Sequence, residues 1–177
     1  MIRRQTKPGV HGKKKRRNLS EYGKLLVMKQ KIKLSYGIRE KQFKKYYEES
    51  AKHKGLTSAL LLQKLESRLD NVVYRLGFSS SRISARQYIN HGHFLINGRR
   101  VISPSCQVKV NNLITINPFK KEKGIFKNIK TALKKYKPPA WLSFDVEKLE
   151  GKVVSLPSPE QIQSPFDFNA VIEYYSK

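Results

Sequence analysis

Cysteine is nearly absent from this 177-residue sequence, where Cys106 stands alone. No disulfide can form within the chain, and no cysteine-based zinc site can be assembled. Acidic residues are also scarce: 13 against 37 lysines and arginines, for a net charge of +24. No apolar run reaches the roughly 18 residues that a transmembrane helix needs. The start, Met1-Ile2-Arg3-Arg4-Gln5-Thr6-Lys7-Pro8, has no apolar segment behind its charges, so it does not read as a secretory signal. Catalytic patterns are missing too. There is no glycine-rich phosphate loop with its lysine, and Cys106 has no base near it in sequence. His91-Gly92-His93 has no adjoining carboxylate to complete a metal site and reads better as a helix cap and phosphate contact. No metal, cofactor or small-molecule substrate is expected.

What the sequence has is positive charge, unevenly spread. So large an excess burdens the compact state with self-repulsion, which a polyanionic partner relieves. Nucleic acid and an anionic membrane surface are the two candidates. Residues 138–177 hold three lysines and six acids, so the first 137 residues carry +27. Residues 1–17 hold eight basic residues and no acid, broken by Pro8, Gly9 and Gly12. This reads as an open arm held apart by like charge and ready to order on phosphates. A second dense run, residues 119–137, has eight lysines and one glutamate.

The stretch from Leu65 to Val101 organises the chain. Leu65, Leu69, Val72, Val73 and Leu76 share a helical face, continuing a long helix that contains Leu61 and Leu62 and is capped at Thr57 or Ser58. Gly77 is placed to end it. Ser81 is placed to cap a short helix with Ile83, Tyr88 and Ile89 inward and Arg82 and Arg86 outward. Asn97-Gly98, between Phe94-Leu95-Ile96 and Val101-Ile102, predicts a type I′ hairpin. Upstream, Ser20 caps a helix to about Ser35, and a second helix from about Arg39 to Lys52 turns Phe43, Tyr46, Tyr47 and Ala51 inward. Downstream, Val108 and Val110 alternate, Asn111-Asn112 turn, and Leu113–Ile116 form a strand. Trp141 reads as a buried anchor, and Val171–Tyr175 as a strand or apolar strap.

The expected fold is α+β and predominantly helical. A helical first domain over residues 1–56 is completed by residues 138–177 packing back. A module over residues 57–137, with core 66–117, sets two short helices on a small antiparallel sheet and carries a lysine-rich extension. On its own the module reads either as a clamp with a basic face or as an ordinary subdomain with solvated arginines.

One tripeptide admits an enzyme. Arg68-Leu69-Asp70 resembles the Arg-Leu-Asp of RNA pseudouridine synthases, whose aspartate is catalytic. In those enzymes it lies downstream of a similar module, inside a large catalytic domain. Here it lies within the module, with only a short acidic tail to follow, and Asp70 reads as pairing with Arg68 or Arg75.

The ordered series of motifs resembles the bacterial-type S-four family of small-ribosomal-subunit proteins. It comprises Arg68-Leu69-Asp70-Asn71-Val72-Val73-Tyr74-Arg75-Leu76-Gly77-Phe78, then Ser81-Arg82, Ala85-Arg86-Gln87 and His91-Gly92-His93. Pro8-Gly9-x-His11-Gly12, Leu19-Ser20-Glu21-Tyr22-Gly23, Lys29-Gln30-Lys31 and Tyr36-Gly37-x-x-Glu40-Lys41-Gln42-Phe43 match the family's first domain. Trp141-Leu142 and Glu173-Tyr174-Tyr175-Ser176-Lys177 match its C-terminus. The resemblance implies a non-enzymatic constituent of the small subunit. It would bind the 5′ region of small-subunit rRNA early in assembly and line the mRNA entry channel beside neighbouring ribosomal proteins, without a membrane partner. The alternatives are an RNA-modifying enzyme and a stand-alone ribosome- or tRNA-binding factor. The expected location is the cytoplasmic ribosome of a bacterium, or an organellar ribosome. Family members usually carry a longer segment before the Pro-Gly-x-His-Gly motif, sometimes with a cysteine cluster for a metal, so the expectation here is either a short N-terminus or a sequence incomplete at its start.

Expected RNA contacts on the arm are Arg3, Arg4, Lys13, Lys14, Lys15, Arg16 and Arg17, the last five where the family places its channel-facing positives. On the helical domain they are Lys29, Lys31, Arg39 and Lys44. On the module they are Arg68, Arg75, Ser81, Arg82, Arg86, His91, Arg99 and Arg100, extended by Lys120, Lys121 and Lys123.

Overall fold

A computed structural model of the chain describes residues 18–120, 126, 133, 136–162 and 164–176. The Ser20 hydroxyl accepts a hydrogen bond from the Gly23 amide at 3.2 Å and opens helix α1, Glu21–Ser35. Glu21 in its first turn and Lys33 in its last suit the helix dipole. Gly37 takes φ 61° beyond the helix end, a conformation that a side chain disfavours. Helices α2, Glu40–Ala51, and α3, Thr57–Glu66, follow. Ile32, Phe43, Leu61 and Leu65 are fully buried between the three. Tyr47 is only half-buried and Ala51 is exposed, contrary to the inward positions expected of them.

The long helix expected from Thr57 through Leu76 is broken. Arg68 is extended (φ −69°, ψ 139°) and forms an isolated β-bridge with Gln107 before α4, Leu69–Arg75. The amides of Leu69 and Asp70, which would lack partners in a helix's first turn, donate to the carbonyls of Cys106 (2.8 Å) and Pro104 (3.1 Å). The Val108 amide donates to the Ser67 carbonyl at 2.9 Å. The break hands the chain from one core to another. Leu61, Leu62 and Leu65 close the helical domain, whereas Leu69, Val72, Val73 and Leu76 face the module.

Helix α5, Arg82–Asn90, is capped by Ser81, whose hydroxyl accepts from the Ser84 amide at 3.1 Å. It buries Ala85 and Ile89. Ile83 is 79% exposed rather than inward. It sits two residues from Ala85, about 200° around the helix, so it faces away from the core.

The hairpin forms as expected. Asn97 and Gly98 take φ 50° and 77° between strands β1, Phe94–Ile96, and β2, Arg99–Arg100. Strand β3, Leu113–Ile116, pairs antiparallel to β1 with Leu95 opposite Thr115. Residues 108–110 form no strand; Val108 is buried beside Ser67, and Asn111 turns at φ 67°.

Two further strands, β4 (Leu142–Asp145) and β5 (Glu150–Val153), give an antiparallel sheet of order β2-β1-β3-β5-β4. Gly151, opposite Ile114, lies so close to α4 that a Cβ there would overlap the Leu76 side chain. The tail expected to pack back as one unit therefore divides. Its first part completes the module's sheet and buries Trp141 in that core, where Phe126 and Leu133 also lie. Its second part brings Ile162, Phe168 and Val171 to the helical domain. The last segment is a helix, α6 (Asn169–Ser176), not a strand, and it lies along α1. Phe168, Val171, Ile172 and Tyr175 recur at helical spacing on its packed side.

Candidate nucleic-acid interface

The two domains meet along α4 and α5, and a polar network fills the seam. Glu66 is fully buried. It receives Tyr36 Oη at 2.6 Å, Asn71 Nδ2 at 2.7 Å, and Arg75 through Nη2 at 2.9 Å and Nε at 3.1 Å. Burial pushes its carboxyl up, but these donors outweigh burial and hold it below the usual carboxylate range. Burial and the neighbouring Glu66 charge push the Tyr36 hydroxyl well above its ordinary value. Asp70, 2% exposed, is gripped by Arg68 through Nε (3.0 Å) and Nη2 (2.7 Å) and by Arg86 Nη2 (2.7 Å), and its Oδ1 accepts from the Asn71 amide.

Arg82 and Arg86, expected to point outward, reach across the seam instead. Arg82 Nε donates to Asn71 Oδ1 at 2.7 Å, and its guanidinium lies 4.6 and 4.7 Å from the ring centres of Tyr36 and Tyr74. Arg86 Nη1 donates to the Gly37 carbonyl at 2.6 Å. A guanidinium's planar fork suits this work, since it can meet several acceptors while stacking on rings.

This geometry sorts the expected RNA contacts. Arg68 is 4% exposed and shared between Asp70 and Tyr46 Oη, and Lys29 is 4% exposed and tied to Glu40 at 2.7 Å. Both are buried partners of carboxylates and are removed from the RNA-facing set. Arg75 is mostly buried against Glu66. Arg82 and Arg86 stay at the surface with part of their guanidinium surface committed. Ser81 is spent on its cap.

Lys31 and Arg39 are exposed on the helical domain, as is Lys44, whose Nζ is 3.9 Å from Glu48. On the module, His91, Arg99 and Arg100 are exposed, and Arg100 and Lys120 meet the turn at His91 and Gly92. The Arg100 side chain crosses Gly92, which turns at φ 66°, and Lys120 Nζ donates to the His91 carbonyl. Among the described residues no carboxylate pairs with any of these four. Arg3, Arg4, Lys13, Lys14, Lys15, Arg16, Arg17, Lys121 and Lys123 lie outside the described residues.

Tyr36, Glu66, Asn71 and Tyr74 were not among the expected site residues. Asp70, expected to pair with Arg68 or Arg75, takes Arg68 and Arg86, while Arg75 goes to Glu66. The enzymatic reading of Asp70 also meets its surroundings: both oxygens are filled and the group is sealed from substrate. Among the described residues no cluster of histidine, cysteine or carboxylates could hold a metal ion.

Residues 1–66 match the family described as Ribosomal protein S4/S9 N-terminal domain, and residues 67–114 match the S4 domain. The boundary between them falls where α3 breaks from α4. The chain is 48% identical to Small ribosomal subunit protein uS4 of Caldicellulosiruptor bescii over 175 residues, 99% of this chain and 84% of that one. It is 47% identical to the protein of the same name from Acetivibrio thermocellus over 177 residues, 100% and 85% of the two chains. It is 45% identical to that of Syntrophomonas wolfei over 175 residues, 99% and 84%. Likeness of this degree spans helical domain, module and returning tail alike, and the chain belongs to the uS4 family of small ribosomal subunit proteins.

Proposed function

We propose that this member of the family binds the 5′ region of small-subunit rRNA directly and early in assembly, as a non-catalytic clamp. We place it in a bacterial or organellar ribosome, beside neighbouring small-subunit proteins and with its basic arm toward the mRNA entry channel. The observation that carries the RNA reading is the set of Arg99, Arg100 and Lys120 on the module, cations left without carboxylate partners among the described residues, while Arg68, Arg75 and Arg86 of the seam have theirs. Each phosphate they neutralise releases counterions, so affinity is steeply salt-dependent. Folded RNA is met chiefly through shape, sugars and phosphates.

The seam fixes where the cations of the two domains stand relative to each other. A rigid spacing suits a partner whose phosphates are themselves held by a folded junction. Because Arg82 and Arg86 also hold the seam, replacing them mixes loss of contact with loss of stability. Arg99 and Arg100 are the cleaner test. In filter binding to a transcript of the 5′ region, Arg99→Ala with Arg100→Ala lowers the salt slope by about 2 and leaves the melting temperature unchanged. An unchanged slope would take this patch out of the interface. Sucrose-gradient sedimentation tests the wider role, with the protein expected in small-subunit and whole-ribosome fractions.

A further inference from the structure

Beside the buried network, the seam opens into a cavity of about 260 Å³. Its walls include Leu34 and Tyr36 from the helical domain, and Tyr74, Arg82, Ile83 and Arg86 from the module. Three features of it remain unused by the fold. The first is charge. Arg68, Arg75, Arg82 and Arg86 share only two carboxylates, Glu66 and Asp70, so the network keeps two positive charges. Arg68 and Arg75 each have a carboxylate in a two-pronged grip, whereas Arg82 has none and Arg86 has a share of one, and both line the cavity. The second is apolar surface. Leu34 and Ile83 are 74% and 79% exposed, one from each domain, flanking the same opening. The third is size. The volume lies just below the roughly 300 Å³ at which small-ligand pockets begin, too narrow for a duplex.

An occupant must therefore be anionic at one end, flat or apolar at the other, and small. We propose that the seam cavity receives one unpaired nucleotide of the bound RNA, its base lying against Leu34 and Ile83 and its phosphate facing Arg82 and Arg86. Unpaired bases splayed from folded RNA are the parts of it that proteins take into pockets. An acidic protein segment shares the charge, but the walls are helix ends and offer no open strand edge to hold an extended backbone. The site exists only while the domains are docked, so the nucleotide would report docking and reinforce it. The inference rests on the RNA-binding reading above and adds a defined receptor to it.

The test uses the full chain, a transcript of the 5′ region of small-subunit rRNA, and probing with dimethyl sulfate and a 2′-hydroxyl acylating reagent. Ile83→Ser and Leu34→Ser alter exposed side chains and remove no charge; circular dichroism melts confirm that each variant folds. With the unaltered protein, an unpaired nucleotide is shielded. In each variant that nucleotide regains its reactivity while the rest of the footprint persists. Affinity falls about tenfold from the lost apolar contact, with no change in salt slope. Footprints and affinities identical to those of the unaltered protein would overturn the proposal. So would variants that bind the transcript normally yet fail to stay on assembled subunits, since the cavity would then hold a neighbouring protein. If the unaltered protein shields nothing on the transcript, the RNA-binding reading itself fails, and the receptor with it.

Discussion

Glu40 stands at the rim of the helical domain with 44% of its side chain in solvent, and it gathers Lys29 at 2.7 Å, Lys33 at 3.0 Å and the Tyr175 hydroxyl at 2.8 Å. Glu66 and Asp70 sit inside the seam, 0% and 2% exposed, and gather arginines, a tyrosine hydroxyl and amides. The rim uses lysines, point charges on flexible stems, two of which share one carboxylate. The seam uses guanidinium forks, because a carboxylate out of reach of water must have its lone pairs met by donors fixed in place. Each hub also takes one tyrosine hydroxyl, Tyr175 for Glu40 and Tyr36 for Glu66. The difference separates a carboxylate that solvent still reaches from two whose oxygens are met by the protein alone.

The comparison is most severely tested at Asp70. Asp70→Ala leaves Arg68 buried without its counter-charge and costs about 3–5 kcal/mol in urea denaturation. A loss below about 1 kcal/mol would mean that the seam is as forgiving as the rim. Glu66→Gln keeps the shape but not the charge. Its main ionic partner, Arg75, reaches solvent in part, so the cost is about 2 kcal/mol by the same measurement. Glu40→Gln at the solvent-facing hub costs about 1 kcal/mol.

Acid sharpens the contrast further. Burial pushes the Glu40 carboxyl up, but hydrogen bonds from Lys29, Lys33 and Tyr175 overcome this and hold it at about 2, against an ordinary 4.5. The stability it adds is complete above pH 4.5 and drains as pH falls toward 2. Thermal melts across that window should show a slope that Glu40→Gln flattens. The alkaline side should move both hubs together. Tyr36 and Tyr175 are raised by burial and by the carboxylate each one bonds, so their contribution is whole below pH 10, their ordinary value, and is lost as pH climbs past it. Tyr36→Phe and Tyr175→Phe should each remove part of that alkaline loss, the smallest effect of this set.

Local signals in the sequence carried far. Ser20 and Ser81 cap the helices they precede, and Asn97-Gly98 makes its hairpin, because each depends on residues within four positions. Leucine periodicity gave the right faces across residues 57–76 but not the break at Arg68. That break is set by Pro104, Cys106 and Gln107, whose backbone takes over the pairing. Strands β4 and β5 went unseen although they pair with each other locally; what joins them to the module is the pairing of β5 with β3, far upstream. The site divides the same way. That Arg99 and Arg100 are exposed follows from a hairpin end, but the seam required knowing that Ser35 and Gly37 face Arg82 and Arg86.

The return of α6 to α1 has a consequence for how the molecule is made. Tyr22 and Tyr174 meet at 3.1 Å across 152 residues of sequence, and Glu40 waits 135 residues for Tyr175. During synthesis, α1, α2 and α3 leave the exit tunnel with Ile32 and Phe43 lacking the Ile162, Phe168 and Val171 that complete their core. Contacts so far apart close late and slowly. The helical domain therefore closes only once α6 has been made, and a chain cut short before α6 would expose an open apolar face to chaperones and proteases. A finished helical core therefore waits on a helix more than a hundred residues downstream of the two it completes.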